Sequence, residues 1–188
     1  MQVEQTALDG VLILTPRRFG DDRGWFSEVW NRRALTKAGI TADFVQDNHS
    51  MSRAKGTLRG LHYQAPPNPQ AKLVRCGVGA IWDVAVDARH GSPTYGQWVG
   101  VELSAANGRQ LFVPEGFLHG FSTLSEGAEV LYKCTDYYAP AADGTVAWNS
   151  AALQIDWKLD RQPELSAKDA AAPDFAEWNS PFVWEGAR

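Results

Sequence analysis

Apolar and aromatic residues occur along this chain in short runs that Gly, Pro, Asn and Asp separate. The runs are rich in β-branched and aromatic side chains, which favour extended backbone. We predict strands over residues 11–14, 26–30, 44–50, 58–63, 73–76, 80–86, 98–103 and 111–113. Many short strands at nearly regular spacing are typical of an all-β sandwich or barrel. We therefore expect a double-sheet jelly roll whose interior holds a ligand.

Residues 80–87 alternate between two kinds of side chain, and successive residues of a strand point to opposite faces. One face carries an acidic pair among apolar neighbours: Ile81, Asp83, Ala85 and Asp87. The other face is apolar: Trp82, Val84 and Val86. The alternation predicts that the apolar face packs in a core while the acidic face lines something polar.

Two short helices are predicted as accessories to the β core. Asn31 is a suitable N-cap and Gly39 a suitable C-terminal stop for the first. A second helical stretch follows Ser166, runs through residues 168–172 and ends at Pro173. No repeat, low-complexity tract or linker is visible, so a single domain over residues 1–188 is expected.

Composition restricts the partners of such a domain. The 188 residues carry a net charge of −4 and a pI near 5.5, which argues against nonspecific binding of nucleic acid. An anionic ligand must then be bound by locally placed Arg and Lys.

Cys76 and Cys134 lie in apolar runs and are interpreted as buried small side chains. The first ten residues lack the features of a signal peptide, and no apolar stretch reaches the ~18 residues of a membrane span. We expect a cytoplasmic protein that does not contact membranes.

The run over residues 56–64 concentrates polar chemistry in an otherwise apolar strand. It contains Arg59 and His62, and Lys72 follows eight residues after its end. A histidine accepts a proton near neutral pH, and a guanidinium binds phosphate through a planar set of donors. The grouping indicates proton removal next to a carbonyl, on a substrate that carries a phosphate.

Structural roles stay open when these residues are considered by pattern alone. The alternatives are a salt bridge from Arg59 to Asp47 or Glu28, a polar turn at Arg23, packing by Tyr132, and structural hydrogen bonds by His62 and His119. A metal-binding barrel would typically offer two histidines one residue apart, whereas His62 is followed by Tyr63 and Gln64. Convergence of His49, His62 and His119 in space stays open, but no metal is expected.

A series of linked motifs resembles one known family. The motifs are FGDDRG at 19–24, VQDNHS at 45–50, LRGLHYQ at 58–64, KLVR at 72–75, DVAVD at 83–87, SPT at 92–94, PEGFLHGF at 114–121, LSE at 124–126, LYKCTDYY at 131–138 and LSAKD at 165–169. In this order and at these separations the chain resembles the dTDP-4-dehydrorhamnose 3,5-epimerases, which have a cupin-type double-sheet jelly-roll barrel. The resemblance covers nearly the whole chain.

The resemblance implies an isomerase that inverts C3 and C5 of dTDP-4-dehydro-6-deoxy-D-glucose in dTDP-L-rhamnose biosynthesis, without redox cofactor or metal. It assigns His62 as the base, with Asp169 as the carboxylate that orients it. Tyr132 becomes the acid on the opposite sugar face, and Lys72 the donor to the enolate oxygen. It assigns substrate binding to Arg23, Glu28, Gln46, Asp47, Asn48, Arg59, His119, Tyr138, Asp143 and Lys168. It also implies a homodimer in which N-terminal strands join the partner's sheet, so that some contacts cross subunits.

Two features remain specific to this chain. Asp143 stands where the family usually has Glu, which shortens a binding carboxylate by one methylene. Strand alternation places Asp83 on the polar side of its strand, where it would support Lys72 or His62. The alternatives to the double epimerase are a mono-epimerase acting at C3 or C5 alone, a noncatalytic sugar-nucleotide-binding cupin and a metal-dependent cupin dioxygenase.

Overall fold

The computed structural model describes residues 1–186, and strands dominate it. In chain order the strands are β1 Gln2–Gln5, β2 Leu12–Thr15, β3 Arg18–Asp21, β4 Gly24–Ser27, β5 Gln46–Ser52, β6 Leu58–Gln64, β7 Lys72–Val78, β8 Ala80–Asp87, β9 Arg89–His90, β10 Trp98–Ser104, β11 Gln110–Val113, β12 Phe117–Thr123, β13 Ala128–Cys134, β14 Asp143–Thr145 and β15 Phe182–Val183. The helices are α1 Arg32–Lys37 and α2 Ala167–Ala170.

Two antiparallel sheets form the body of the fold. The six-stranded sheet has the order β1-β2-β11-β7-β13-β5, and the five-stranded sheet has the order β10-β8-β12-β6-β14. Apolar residues from both sheets pack into one core cluster, including Val74 and Val130 from the first and Ile81 and Phe121 from the second. The predicted all-β, double-sheet jelly roll with short accessory helices is confirmed.

Most predicted strands are present, and one needs correction. The strand predicted at 26–30 ends at Ser27, because the last residue pair of its β3–β4 ribbon joins Arg18 to Ser27. Residues beyond Ser27 have no strand partner and lead into α1 instead. The six-residue α1 begins after the Asn31 cap, whose side chain accepts the Ala34 N–H at 3.1 Å.

The prediction of a polar face on β8 is wrong. Asp83 and Asp87 are both fully buried, and their neighbours Ile81 and Ala85 lie in the core between the sheets. The opposite face is buried as well, because residues from the C-terminal part of the chain, Trp157 among them, pack over it. Both faces of β8 are therefore packed, and each acidic group has polar partners of its own: His119 for Asp83, and Arg89, Ser92 and Thr94 for Asp87.

The second helix, α2, packs against β6 and is shorter than predicted. Ser166 caps it, since its hydroxyl accepts the Asp169 N–H at 3.1 Å. An isolated parallel bridge joins Thr57 to Glu164, and the Leu58 N–H donates to the Glu164 carbonyl at 3.0 Å. These bonds attach the segment that carries α2 to the beginning of β6.

Candidate active site

A cavity of about 660 Å³ opens between the two sheets, a volume typical of small-molecule sites. The six-stranded sheet contributes one group of lining residues: Gln46, Asn48, Lys72 and Tyr132. The five-stranded sheet contributes another: Leu58, Arg59, His62, Tyr63, Gln64 and Asp143. The segment around α2 adds Glu164, Leu165, Ser166, Lys168 and Asp169, while Thr57 and the loop residues Gln70 and Tyr138 complete the lining.

A histidine–aspartate pair lies on one wall. His62 Nε2 is 2.6 Å from Asp169 Oδ1, and the Asp169 side chain is only 2% exposed. Burial by itself would raise the pKa of Asp169. The pKa is nevertheless below its usual value, because Asp169 accepts hydrogen bonds from His62, Ser166 and the Gly60 backbone and lies beside the charge of His62. A carboxylate in this position accepts the Nε2 proton, so the lone pair of the neutral ring is on Nδ1. The arrangement supplies an oriented base.

Lys72 and Tyr132 lie on the facing wall. In the β13–β7 ladder Cys134 pairs with Lys72 and Tyr132 with Val74, so Tyr132 and Lys72 share a face as diagonal neighbours. Burial lowers the pKa of the Lys72 ammonium. The charges of Cys134, Asp83 and Asp143 act in the opposite direction, but burial is the larger effect. Burial also raises the pKa of the Tyr132 phenol. Tyr132 is therefore protonated at neutral pH and able to donate.

A second histidine–aspartate pair lies beside the first, on the neighbouring strands β12 and β8 of the same sheet. His119 is the ladder partner of His62, and its Nε2 is 2.8 Å from Asp83 Oδ1. The side chain of His119 is 9% exposed and does not line the cavity. The hydrogen bond of Asp83 is thus to His119, and its charge acts on Lys72 from a distance. Asp83 Oδ2 has no hydrogen-bond partner within residues 1–186.

Arg59 is held at the cavity by neutral partners. Its Nε donates to Ser52 Oγ and its Nη2 to the Met51 carbonyl, both at 3.1 Å. Within the described residues it forms no ion pair, so the salt bridge to Asp47 or Glu28 that the pattern left open is not formed. The guanidinium charge is left uncompensated beside the cavity, as an anion-binding role requires.

Besides His119, three of the residues assigned to substrate binding do not line the cavity: Arg23, Glu28 and Asp47. Arg23 is at the tip of the β3–β4 ribbon, where its side chain is 89% exposed and pairs with Asp21. Glu28 accepts a hydrogen bond from Asn31, and Asp47 pairs with Lys133 at 2.9 Å. Asp47 points away from its neighbours Gln46 and Asn48, which face the cavity, because side chains alternate along β5.

The metal alternative finds no support in the positions of the histidines. His49 lies on the outer face of β5 and pairs with Glu129, while His62 and His119 each contact an aspartate of their own. Across residues 1–186 no group of three His, Cys, Asp or Glu side chains is placed to hold a metal ion. Nor is any helix in this part of the chain long and apolar enough to cross a membrane.

Several lining residues were not anticipated from the sequence. Gln64 is almost fully buried: its Nε2 donates to the Tyr137 carbonyl at 3.0 Å and its Oε1 accepts from the Ala139 N–H at 2.9 Å. It therefore fixes the loop that carries Tyr138. Two-residue alternation from His62 would have indicated Gln64. No local signal marks the other lining residues that were not anticipated: Thr57, Leu58, Tyr63, Gln70, Glu164, Leu165 and Ser166.

The family model for dTDP-4-dehydrorhamnose 3,5-epimerase matches residues 5–177. The chain belongs to this family. It is 58% identical over 174 residues to the dTDP-4-dehydrorhamnose 3,5-epimerase of Salmonella typhimurium, with 92% of this chain and 94% of that protein covered.

Solved structures of the epimerase family agree with the fold. The Legionella pneumophila epimerase in complex with dTDP-4-keto-L-rhamnose has a TM-score of 0.94 and 46% identity, with 99% of each chain covered. ChmJ, a 3'-monoepimerase from Streptomyces bikiniensis in complex with dTDP-quinovose, has a TM-score of 0.85 and 34% identity, with 91% of this chain and 86% of that one covered. The family predicted from the linked motifs is confirmed.

Proposed function

We propose that this protein is a dTDP-4-dehydrorhamnose 3,5-epimerase that inverts C3 and C5 of dTDP-4-dehydro-6-deoxy-D-glucose, in dTDP-L-rhamnose biosynthesis. The observation that carries the proposal is the placement of four side chains across one cavity. His62 and Asp169 form an oriented base on one wall, and Lys72 and Tyr132 lie on the wall opposite. A sugar ring held between the walls has the base on one face and the acid on the other.

The substrate's ketone makes this chemistry possible. Hydrogens at C3 and C5 are both adjacent to the C4 carbonyl, so the carbanion formed at either carbon delocalises into an enolate. His62 takes the proton from carbon and becomes an imidazolium that Asp169 stabilises. The Lys72 ammonium donates a hydrogen bond to the C4 oxygen as it gains negative charge, in a buried setting where such stabilisation is strong.

Inversion follows when the proton returns from the other side. The Tyr132 phenol, protonated because burial raises its pKa, donates a proton to the carbon on the face opposite His62. Each inversion therefore leaves His62 protonated and Tyr132 as a phenolate, and exchange with solvent restores both. Protons that enter carbon come from the solvent pool, which makes isotope exchange a direct readout.

The nucleotide is proposed to bind at the mouth of the cavity. Arg59 offers guanidinium donors to the pyrophosphate, and Lys168 offers a second cation. Gln46, Asn48 and Tyr138 present amide groups and an exposed aromatic ring suited to the base. His119 acts from the neighbouring strand, as the cross-strand partner of His62.

We also propose that the protein works as a cytoplasmic homodimer of single-domain subunits. The β3–β4 ribbon exposes large aromatic surface, with Trp25 59% and Phe26 68% exposed, and such surface marks a contact site. Arg23 lies at the tip of this ribbon and away from its own cavity. Binding of nucleotide by Arg23, Glu28 and Asp47 is therefore proposed to occur in the cavity of the partner.

Isotope exchange tests the reaction. The protein is incubated in deuterated water with the 4-keto sugar nucleotide, and label at C3 and C5 is followed by NMR. Label at both carbons is expected, label at one carbon alone would establish the mono-epimerase, and label at neither would refute the proposal. H62A should abolish exchange while retaining dTDP binding, whereas H90A, at an exposed histidine away from the cavity, should behave as wild type.

Mixed dimers test the contribution across subunits. R23A, expected to be weakly active at low substrate concentration, and H62A, expected to be inactive, are unfolded together and refolded. Half of the dimers are then mixed, and each mixed dimer has one site with both residues intact, so about a quarter of wild-type activity should return. No recovery in dimers shown to have exchanged subunits would place Arg23 in its own cavity or outside the site.

A further inference from the structure

One carboxylate connects two of the proposed ligand-binding side chains across the mouth of the cavity. Asp143 Oδ2 accepts a hydrogen bond from Lys168 Nζ at 2.5 Å and from the Tyr138 hydroxyl at 3.2 Å. A single oxygen thus serves an ammonium and a phenol that approach it from different parts of the chain. We call Asp143, Tyr138 and Lys168 the mouth bridge.

The mouth bridge joins three segments that are otherwise held separately. Asp143 begins β14, opposite Gln64 of β6. Tyr138 belongs to the loop before β14, and its backbone N–H donates to Gln46 Oε1 at 2.9 Å. Lys168 lies in α2, next to the carboxylate that holds His62. The bridge therefore sets where the phenol and the ammonium stand relative to the cavity.

Both donors would be free in solution without this acceptor. Tyr138 is 57% exposed and the Lys168 side chain 44% exposed, while the Asp143 side chain is 25% exposed. Long exposed side chains lose rotamer entropy when a ligand fixes them, and fixing them beforehand removes that cost from binding. An ordered pair of donors consequently binds an anionic aromatic ligand more tightly than a mobile pair.

We propose that Asp143 is a positioning residue that acts through Tyr138 and Lys168, instead of contacting the substrate sugar itself. The proposal rests on the proposed function, which makes a nucleoside diphosphate the ligand. The side chain of Asp143 is one methylene shorter than the usual Glu, and its Oδ2 already accepts from two donors. Its contribution is to the nucleotide end of the ligand.

The positioning role of Asp143 is tested by measuring the binding of thymidine diphosphate (dTDP) to the full-length protein by calorimetry, which requires no turnover. D143N loses the charge that holds Lys168, and we expect the Kd for dTDP to rise by about three- to tenfold, the effect of releasing one or two side chains. D143E keeps the charge and should stay within about twofold of wild type. The matched control is D156N, which removes the charge of an exposed carboxylate that pairs with Lys158 and lies outside the cavity lining; it should leave Kd unchanged.

A second background separates positioning from direct contact. In a Y138F/K168M protein the D143N change should have no further effect on Kd, because its two intermediaries are already gone. An equal loss in both backgrounds would overturn the proposal. So would an unchanged Kd for D143N, which would show that Asp143 has no effect on nucleotide binding, or a lower Kd, which would show that its charge repels the phosphates. Thermal unfolding of each variant confirms folding, and the isotope-exchange result of wild type judges the proposed function separately.

Discussion

Replacing Asp169 by Asn probes the proposed base His62 most directly, because the change removes one charge and preserves the shape of the side chain. Asp169 is 3% exposed, and its carboxylate accepts the His62 Nε2 proton at 2.6 Å. An Asn amide can instead donate to Nε2, which moves the ring proton to Nδ1 and removes the lone pair from that nitrogen. The variant should fold, since Ser166 still caps α2 through the backbone of residue 169.

The size of the loss follows from the bond that is removed. A hydrogen bond to a charged group contributes about 1.5–3 kcal/mol, which is about ten- to 150-fold in rate when the charge on His62 develops in the transition state. The tautomer of His62 with its proton on Nδ1 adds to this loss of rate. In the serine protease triad the corresponding Asp-to-Asn change lowers kcat by about 10⁴-fold. We therefore expect kcat for D169N to fall by at least tenfold and by as much as about 10⁴-fold.

The measurement is the initial rate of deuterium incorporation at saturating substrate. Titration with dTDP should show unchanged affinity, because Asp169 touches His62 and not the nucleotide groups. D174N is the matched control: it changes an aspartate outside the cavity lining that accepts from Ser150 Oγ at 2.9 Å. A D169N rate within threefold of wild type would refute the assignment of Asp169 as the carboxylate that orients and charges the base.

Three further predictions concern the scaffold. Burial raises the pKa of Asp87, but hydrogen bonds from Arg89, Ser92 and Thr94 outweigh it and keep the pKa below its usual value; D87N should therefore cost about 3–5 kcal/mol near neutral pH. That difference in unfolding free energy should shrink as pH falls from about 5 to about 2, because protonation removes the same charge from wild type, and a constant difference would contradict this reading. Burial raises the pKa of the Cys76 thiol to about 11. Thiol reagents at pH 8 should therefore modify Cys76 only after the protein unfolds, and rapid modification of the native protein would show that the thiol is accessible. A Cβ at Gly60, where φ is +133°, would lie 2.6 Å from Gly120 Cα. G60A should therefore reduce both the melting temperature and the activity far more than G127A, because a Cβ at Gly127 meets nothing within 4 Å. Equal effects of the two substitutions would mean that the strand pair can separate at Gly60.

The local sequence was sufficient to predict where many of the strands and both helices form. Short β-rich runs predicted the strands β2, β5, β6, β7, β8, β10 and β11, and the caps at Asn31 and Ser166 predicted both helix starts. These features depend on neighbours a few residues apart, which is the range over which capping and alternation act. The same locality explains the error at 26–30, since a strand ends where its partner ends, and the partner is not visible in the run itself.

The chemistry was predicted in two ways. The residues of the 56–64 run and Lys72 indicated a base beside an anion-binding cation from their types alone. The roles of Asp169 and Tyr132 came from the resemblance to the family, because no pattern relates residues separated by 107 positions, as His62 and Asp169 are. Contact between them depends on the Thr57–Glu164 bridge, which folds the C-terminal segment onto β6.

Sequence by itself determined that this chain forms β-sheets around a cavity, and that an imidazole and two cations lie near one another in it. Tertiary structure alone decided how they face each other. Arg59 and His62 are three residues apart, a spacing that places side chains on opposite faces of a regular strand, yet both line the cavity. The β12–β6 ladder shifts register between His119–His62 and Phe121–Arg59, across Gly60, and this shift lets both side chains reach the same space. It depends on how closely two strands pack at Gly60 and Gly120, a property of the folded sheet that no single strand contains.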